Sequence, residues 1–231
     1  GGMERKVRMD GGTRAPVEDD LPHEGPVLDP KPRVVDAPRA PHLELCAVSA
    51  YSFLLGASQP EELVAHAVAS GADAIGLSDW HGLYGIVRAY AEAKRLNARL
   101  ITGVALVTEL GPQKAGPCVL LYPQDRAAYA QLCRLITRGH AARPKGQCVV
   151  PLEDVCRVAH NMMAVVLPHG LDQAVETIPD LALPDLYKFS HRPDLDPGLS
   201  MLVEAYGDNL SAARVRRLSE TDARTETWAN A

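Results

Sequence analysis

The chain has 231 residues, 46% of them hydrophobic and 23% charged, so most of it can bury a core. No apolar run approaches the roughly 18 residues of a membrane span, and nothing near the start has the basic, apolar and small-residue regions of a signal peptide, which excludes membrane and secreted classes. A net charge of −5 gives no global basic field to attract nucleic acid, and five cysteines without a CxxC pair argue for a reducing cytoplasm rather than a disulfide scaffold or zinc ribbon.

Residues 1–41 read as a disordered tail. Pro16, Pro22, Pro26, Pro30, Pro32 and Pro38 interrupt every element, and Gly1-Gly2 and Gly11-Gly12 loosen it further. The segment has no aromatics and few large aliphatics, so burial cannot offset the entropy of ordering it.

Residues 42–213 read as one α/β domain. Leu43 to Val48 is a buried strand with a polar exception at Glu44. Ser58 is the expected N-cap of the next helix, with Pro60 at a first-turn position and Glu61 and Glu62 near the positive dipole end. Leu63, Val64, Ala67 and Val68 line its inner face, and Gly71 ends it. Ala74 to Leu77 is a second strand. Leu83, Ile86, Val87 and Tyr90 then predict an amphipathic helix running to about Asn97. Strands follow at Leu100–Val107 and Cys118–Tyr122, split by the breakers Gly111, Pro112, Gly116 and Pro117.

Helical spacing recurs at Tyr129, Leu132, Cys133 and Ile136, and at Leu152, Val155, Cys156 and Ala159. Met162 to Leu167 is a further strand, Leu199, Leu202, Val203 and Tyr206 a late helix, and Leu210 the centre of a short strand. Strands alternating with helices imply βαβ units and a parallel sheet or barrel. A full eight-fold barrel takes about 250 residues, whereas about 190 remain beyond the tail, so the barrel is expected to be open or incomplete. Residues 214–231 read as a polar C-terminal tail in which Arg214, Arg216 and Arg217 form a solvated face beside Glu220 and Asp222 rather than a phosphate site.

In parallel α/β folds, sites gather at the carboxyl ends of strands. Three such ends stand out: the run from Cys46-Ala47-Val48-Ser49 to Ser58, Ser78-Asp79-Trp80-His81-Gly82-Leu83-Tyr84-Gly85, and Thr102-Gly103-Val104-Ala105-Leu106. They resemble the PHP (polymerase and histidinol phosphatase) domain at the start of bacterial C-family DNA polymerases, the polymerase III alpha subunits and their error-prone relatives. The stretches Ser-Ala-Tyr-Ser-Phe-Leu-Leu-Gly-Ala-Ser, Pro-Glu-Glu-Leu-Val and Asp-Trp-His-Gly-Leu-Tyr-Gly point to the error-prone branch. Residues 42–107 carry the resemblance most strongly. It fades through 118–170 and returns at Leu202-Val203-Glu204-Ala205-Tyr206-Gly207-Asp208.

The resemblance implies an incomplete TIM-like barrel of parallel strands and helices. It also implies, in active members, a site where histidines and carboxylates bind two or three divalent metals and hydrolyse phosphate esters. Here the motifs depart from that pattern. The family's His-x-His-Ser is Cys46-Ala47-Val48-Ser49, its Thr-Asp-His is Ser78-Asp79-Trp80, and its Gly-x-Glu is Gly103-Val104-Ala105. Tryptophan, valine and alanine offer no lone pair to a hard cation.

No catalytic residue and no cofactor are therefore expected. The remaining metal candidates are Cys46, Asp79 and His81, with His169 after the strand ending at Leu167, which together could hold zinc or manganese. Against this, Cys46 reads as a small buried residue, Asp79 as a loop or helix cap, His81 as a solvated turn residue, and His169 as a core or surface histidine. Cys156 and His160 share a helix face at i, i+4, a spacing that suits zinc but also suits core. No GxGxxG, P-loop or GxSxG elbow is present.

The resemblance implies a cytoplasmic, DNA-synthesis and damage-tolerance setting for a longer protein whose palm carboxylates lie beyond this chain. The chain is thus expected to be a truncated, non-catalytic module. It would partner the polymerase catalytic region or other repair proteins, with no direct nucleic-acid binding and no membrane. The rivals are a free-standing phosphoesterase with a rewired metal site and a fragment whose open parallel edge invites aggregation.

Overall fold

The computed structural model describes residues 43–111, 114–167 and 197–213. The tails predicted at 1–41 and 214–231, His169 and the Arg214–Arg217 cluster lie outside the described residues. The chain order is β1 (Leu43–Ala47), α1 (Pro60–Ala69), β2 (Ala74–Trp80), α2 (Ile86–Leu96), β3 (Leu100–Leu106), β4 (Thr108–Gly111), β5 (Lys114–Ala115), β6 (Val119–Pro123), α3 (Arg126–Ala141), β7 (Val150–Pro151), α4 (Leu152–Arg157), β8 (Met162–Val166), α5 (Pro197–Tyr206), a 3-10 turn (Gly207–Asn209) and β9 (Leu210–Ala212).

The main sheet has the order β1-β2-β3-β6-β8-β9. Strands β1, β2 and β3 are parallel, as are β8 and β9, whereas β6 runs antiparallel to both β3 and β8. The α/β class holds, with this one strand reversed against the parallel expectation. The reason is local. A parallel neighbour needs a crossover of about a dozen residues, usually a helix. The chain after β3 instead turns back through the β4–β5 hairpin. The breaker-rich stretch around Gly111 and Gly116 thus forms a small second sheet, β5-β4-β7, rather than a plain loop.

Strand alternation sorts the sheet into two faces. One carries Ile75, Leu77, Val104, Leu106, Val119, Leu121, Ala164 and Val166, and it is covered by the helices. Val64, Ala89 and Ala93 meet it from α1 and α2, and Leu132, Leu135, Val155 and Leu202 from α3, α4 and α5. The opposite face carries Leu45, Ile101, Ala105, Leu120, Tyr122 and Val165, with Trp80 packed against them.

Two helix boundaries differ from expectation by small amounts. The N-cap of α1 is Gln59 rather than Ser58, because the Gln59 N–H donates to the Glu62 carboxylate at 2.8 Å. The helix ends before Gly71, whose φ of 73° only glycine adopts cheaply. The buried face of α2 is a clearer correction. Val87 and Tyr90 are 76% and 60% exposed, and the contact is made by Ala89 and Ala93 with the partly buried Ile86 and Leu96. Leu83 precedes the helix, which starts only after Gly85, and small residues let α2 sit close to the sheet.

Candidate functional site

The parallel trio β1-β2-β3 brings the three motif-bearing strand ends side by side. In the β2–β3 register Ser78 lies opposite Gly103, Asp79 opposite Val104 and Trp80 opposite Ala105. Successive residues point to opposite faces. Asp79 therefore turns towards the helices, while Ser78 and Trp80 turn towards the opposite, inner face.

On that inner face Trp80 packs with Ala105, itself 1% exposed. Below it, the Tyr122 hydroxyl donates to the Leu45 carbonyl at 2.7 Å. The Ser78 hydroxyl lies 3.1 Å from Tyr122 and 3.0 Å from the same carbonyl. A Cβ on Gly103 would come within 2.5 Å of the Tyr122 ring and 2.6 Å of Ser78 Oγ, so the ring occupies the space over that residue. Burial pushes the Tyr122 hydroxyl well above its ordinary value, which keeps it a neutral donor.

Cys46 reaches this group through an irregularity in β1. A three-residue step there (Glu44 to Ala47) faces the two-residue step from Ile75 to Leu77 on β2. The residue as a whole is exposed, not the small buried residue expected, yet its thiol faces Tyr122. Desolvation, and secondarily the Glu44 carboxylate, raise its pKa, so the thiolate that would bind metal or attack a substrate is disfavoured.

Asp79 is buried on the other side of the strand. Its Oδ1 accepts from the Ser49 N–H at 2.7 Å and the Ser52 hydroxyl at 2.8 Å, and its Oδ2 accepts from the Ser49 hydroxyl at 2.7 Å. Ser52 Oγ also accepts from the Trp80 N–H at 2.9 Å. One carboxylate thus pins the whole 49–52 turn to β2. Gly85 closes over it, and a Cβ there would lie 2.9 Å from Asp79 Oδ2 and 2.9 Å from Pro60.

His81 follows with φ 59°, a left-handed conformation uncommon outside glycine. Its ring stands edge-on to Trp80 at 5.6 Å, and its Nε2 is closed off without a partner among the described residues. Burial, with a smaller contribution from the neighbouring His140, lowers its pKa to about 4. Its carbonyl accepts from His140 Nε2 of α3 at 2.7 Å. His81 therefore carries a neutral, partly buried ring and is tied to α3 through its carbonyl, and it is not the solvated turn residue the sequence suggested.

The candidates Cys46, Asp79 and His81 consequently occupy separate surroundings. Cys46 adjoins Tyr122, Asp79 the two serines, and His81 Trp80 and His140. Cys156 lies near the Met201 carbonyl, at 3.6 Å. Among the described residues, no three His, Cys, Asp or Glu side chains come together in a way that could hold a metal ion. The group of divalent metals that the family implies does not fit them. The three parallel strand ends present tryptophan, alanine, valine and a protonated thiol where imidazoles and carboxylates would be needed, and the one acid is consumed by protein donors. In the sequence Ser78 and Gly85 stood in a motif and Tyr122 at a strand end, with no role assigned to any of the three. The glycine of Gly-x-Glu was a usable signal for Tyr122 and Ser78, since its missing side chain has to be filled by something.

The PHP domain family matches residues 45–178, more than half of the chain. The chain belongs to the PHP domain family. The error-prone DNA polymerase of Anaeromyxobacter sp. (strain K) is 46% identical over 139 residues, covering 56% of this chain and 12% of that protein. The error-prone DNA polymerase of Brucella abortus biovar 1 (strain 9-941) is 39% identical over 134 residues, covering 58% and 12%. The chain thus matches about an eighth of the length of these relatives, in their PHP region. A candidate metal-dependent phosphoesterase from Bifidobacterium adolescentis shares the fold at a TM-score of 0.54 and 13% identity, over 84% of this chain and 85% of that one. The PHP domain here is a parallel-rich, incomplete barrel with helices on its outer face. No helix among the described residues is long and apolar enough to cross a membrane.

Proposed function

We propose that this PHP domain is a non-catalytic structural module of an error-prone type DNA polymerase, working in a cytoplasmic, translesion-synthesis setting without a bound metal. The observation that carries the reading is the Trp80–Ala105 pair. The two positions where active family members place a ligand histidine and a ligand carboxylate face each other across β2 and β3, and here they pack as apolar groups. Side chains kept for burial sustain a fold without sustaining a cation cage.

Its partner is the polymerase catalytic region, and it makes no direct contact with nucleic acid. The exposed Phe53 and Leu54, 76% and 57% accessible beside the Asp79-pinned turn, support a packing role at that end of the sheet. Elemental analysis of freshly purified chain tests the metal half of the reading, together with phosphodiester turnover in Mn²⁺ or Zn²⁺. Far less than one metal per chain and no turnover are expected. Near-stoichiometric metal, or turnover that rises with metal and vanishes in Asp79→Ala, overturns it and favours a rewired phosphoesterase. Co-purification with a downstream polymerase region tests the packing half. Association that survives Phe53→Asp with Leu54→Asp refutes it.

A further inference from the structure

Helices α3 and α4 enclose a cleft of about 260 Å³ whose charged lining is Arg134, Arg138, Asp154 and Arg157. We propose that this cleft binds a compact oxyanion of the phosphate class. Three guanidiniums face one carboxylate there, leaving the lining positive in a chain whose net charge is −5.

The pairing inside the cleft is uneven. Asp154 is engaged by Arg157, which also reaches Glu153 on the rim at 3.2 Å. Arg138 stands 3.9 Å from Asp154, at the limit of an ion pair, and Arg134 has no acid partner among the described residues. Arg134 and Arg138 are four residues apart on α3, so their like charges face each other and cost the helix stability unless an anion lies between them. Guanidinium forks match the geometry of phosphate oxygens. At about 260 Å³ the cleft has room for a phosphoryl group and is smaller than the roughly 300–1,000 Å³ of pockets for drug-sized molecules.

The test is titration of the full chain with inorganic phosphate and with glycerol phosphate against chloride at matched ionic strength, followed by thermal shift and ³¹P line broadening. Saturable binding is expected with phosphate and not with chloride. Tighter binding of glycerol phosphate would mark a phosphate ester as the source, and tighter binding of inorganic phosphate the free ion. Arg134→Gln or Arg138→Gln should weaken binding about tenfold each, ~1.4 kcal/mol. Arg95→Gln, paired with Glu92 elsewhere on the surface, should leave it unchanged. These arginines are exposed, so the variants are expected to fold like the parent. Binding that fails to saturate, or that is indifferent to Arg134 and Arg138, overturns the proposal. So does an oligonucleotide that binds through these arginines more tightly than phosphate does. None of these readouts depends on the metal or packing tests of the module reading.

Discussion

Asp79→Ala is the most direct probe of the motif-bearing end of the domain. The substitution removes an acceptor that satisfies one backbone N–H and two hydroxyls in a buried turn, at 2.7–2.8 Å. A hydrogen bond to a charged group contributes about 1.5–3 kcal/mol net, and a buried donor left without a partner costs about 1–3 kcal/mol. The Ser49 and Ser52 hydroxyls can rotate to other acceptors, whereas the Ser49 N–H cannot. The expected loss is therefore about 3–5 kcal/mol rather than the sum of three full bonds. Asp79→Asn keeps one acceptor oxygen and should lose about half as much. Urea denaturation followed by circular dichroism measures both, and a cycle combining Asp79→Ala with Ser49→Ala and Ser52→Ala measures their coupling. A loss below about 1 kcal/mol, or strict additivity across the cycle, would refute the role of the carboxylate as a clamp on the turn. A loss that appears only when metal is present would instead make Asp79 a metal-linked group.

Three further outcomes are expected. The folded pKa of His81 is about 4, below its ordinary 6.5, so the unfolded chain binds a proton that the folded chain refuses. Stability should therefore fall as pH drops from about 7 towards 4, by about 3 kcal/mol at most, and His81→Gln should flatten that slope in urea midpoints taken at several pH values. Gly85→Ala places a methyl 2.9 Å from Asp79 Oδ2 and from Pro60, and should cost about 1–3 kcal/mol in thermal melts. Tyr206→Phe removes a 2.9 Å bond to the Val155 carbonyl. That oxygen also accepts from the Val158 N–H, so the loss should stay near 1 kcal/mol, and a much larger one would show that the hydroxyl also supports packing of α5 on α4.

Much of the domain was legible in its residues. Alternating apolar runs and 3.6-residue periods located the six main-sheet strands, because burial of a strand or helix face imposes its period wherever the chain lies. The replacements at Cys46, Val48, Trp80 and Ala105 were also plain, since the chemistry of a side chain does not depend on its surroundings. The exposed side of α2 was not legible. Val87 and Tyr90 fit a helical stripe with Ile86, but the helix turns so that Ala89 and Ala93 are fully buried beside the partly buried Ile86 and Leu96. The β4–β5 hairpin was hidden in turn-forming residues whose pairing depends on what lies across from them.

What the sequence determined by itself is therefore the α/β class, the family and the chemical identity of the groups at the strand ends. Tertiary structure alone decided their company. The β2–β3 register set Trp80 against Ala105, the pleat sent Asp79 to the helix face where Ser49 and Ser52 hold it, and the fold brought His140 to the His81 carbonyl. These are contacts between residues about 25–60 positions apart. Local propensity carries no information about such partners, because which side chains meet is settled only when the sheet closes and each face selects what it can bury.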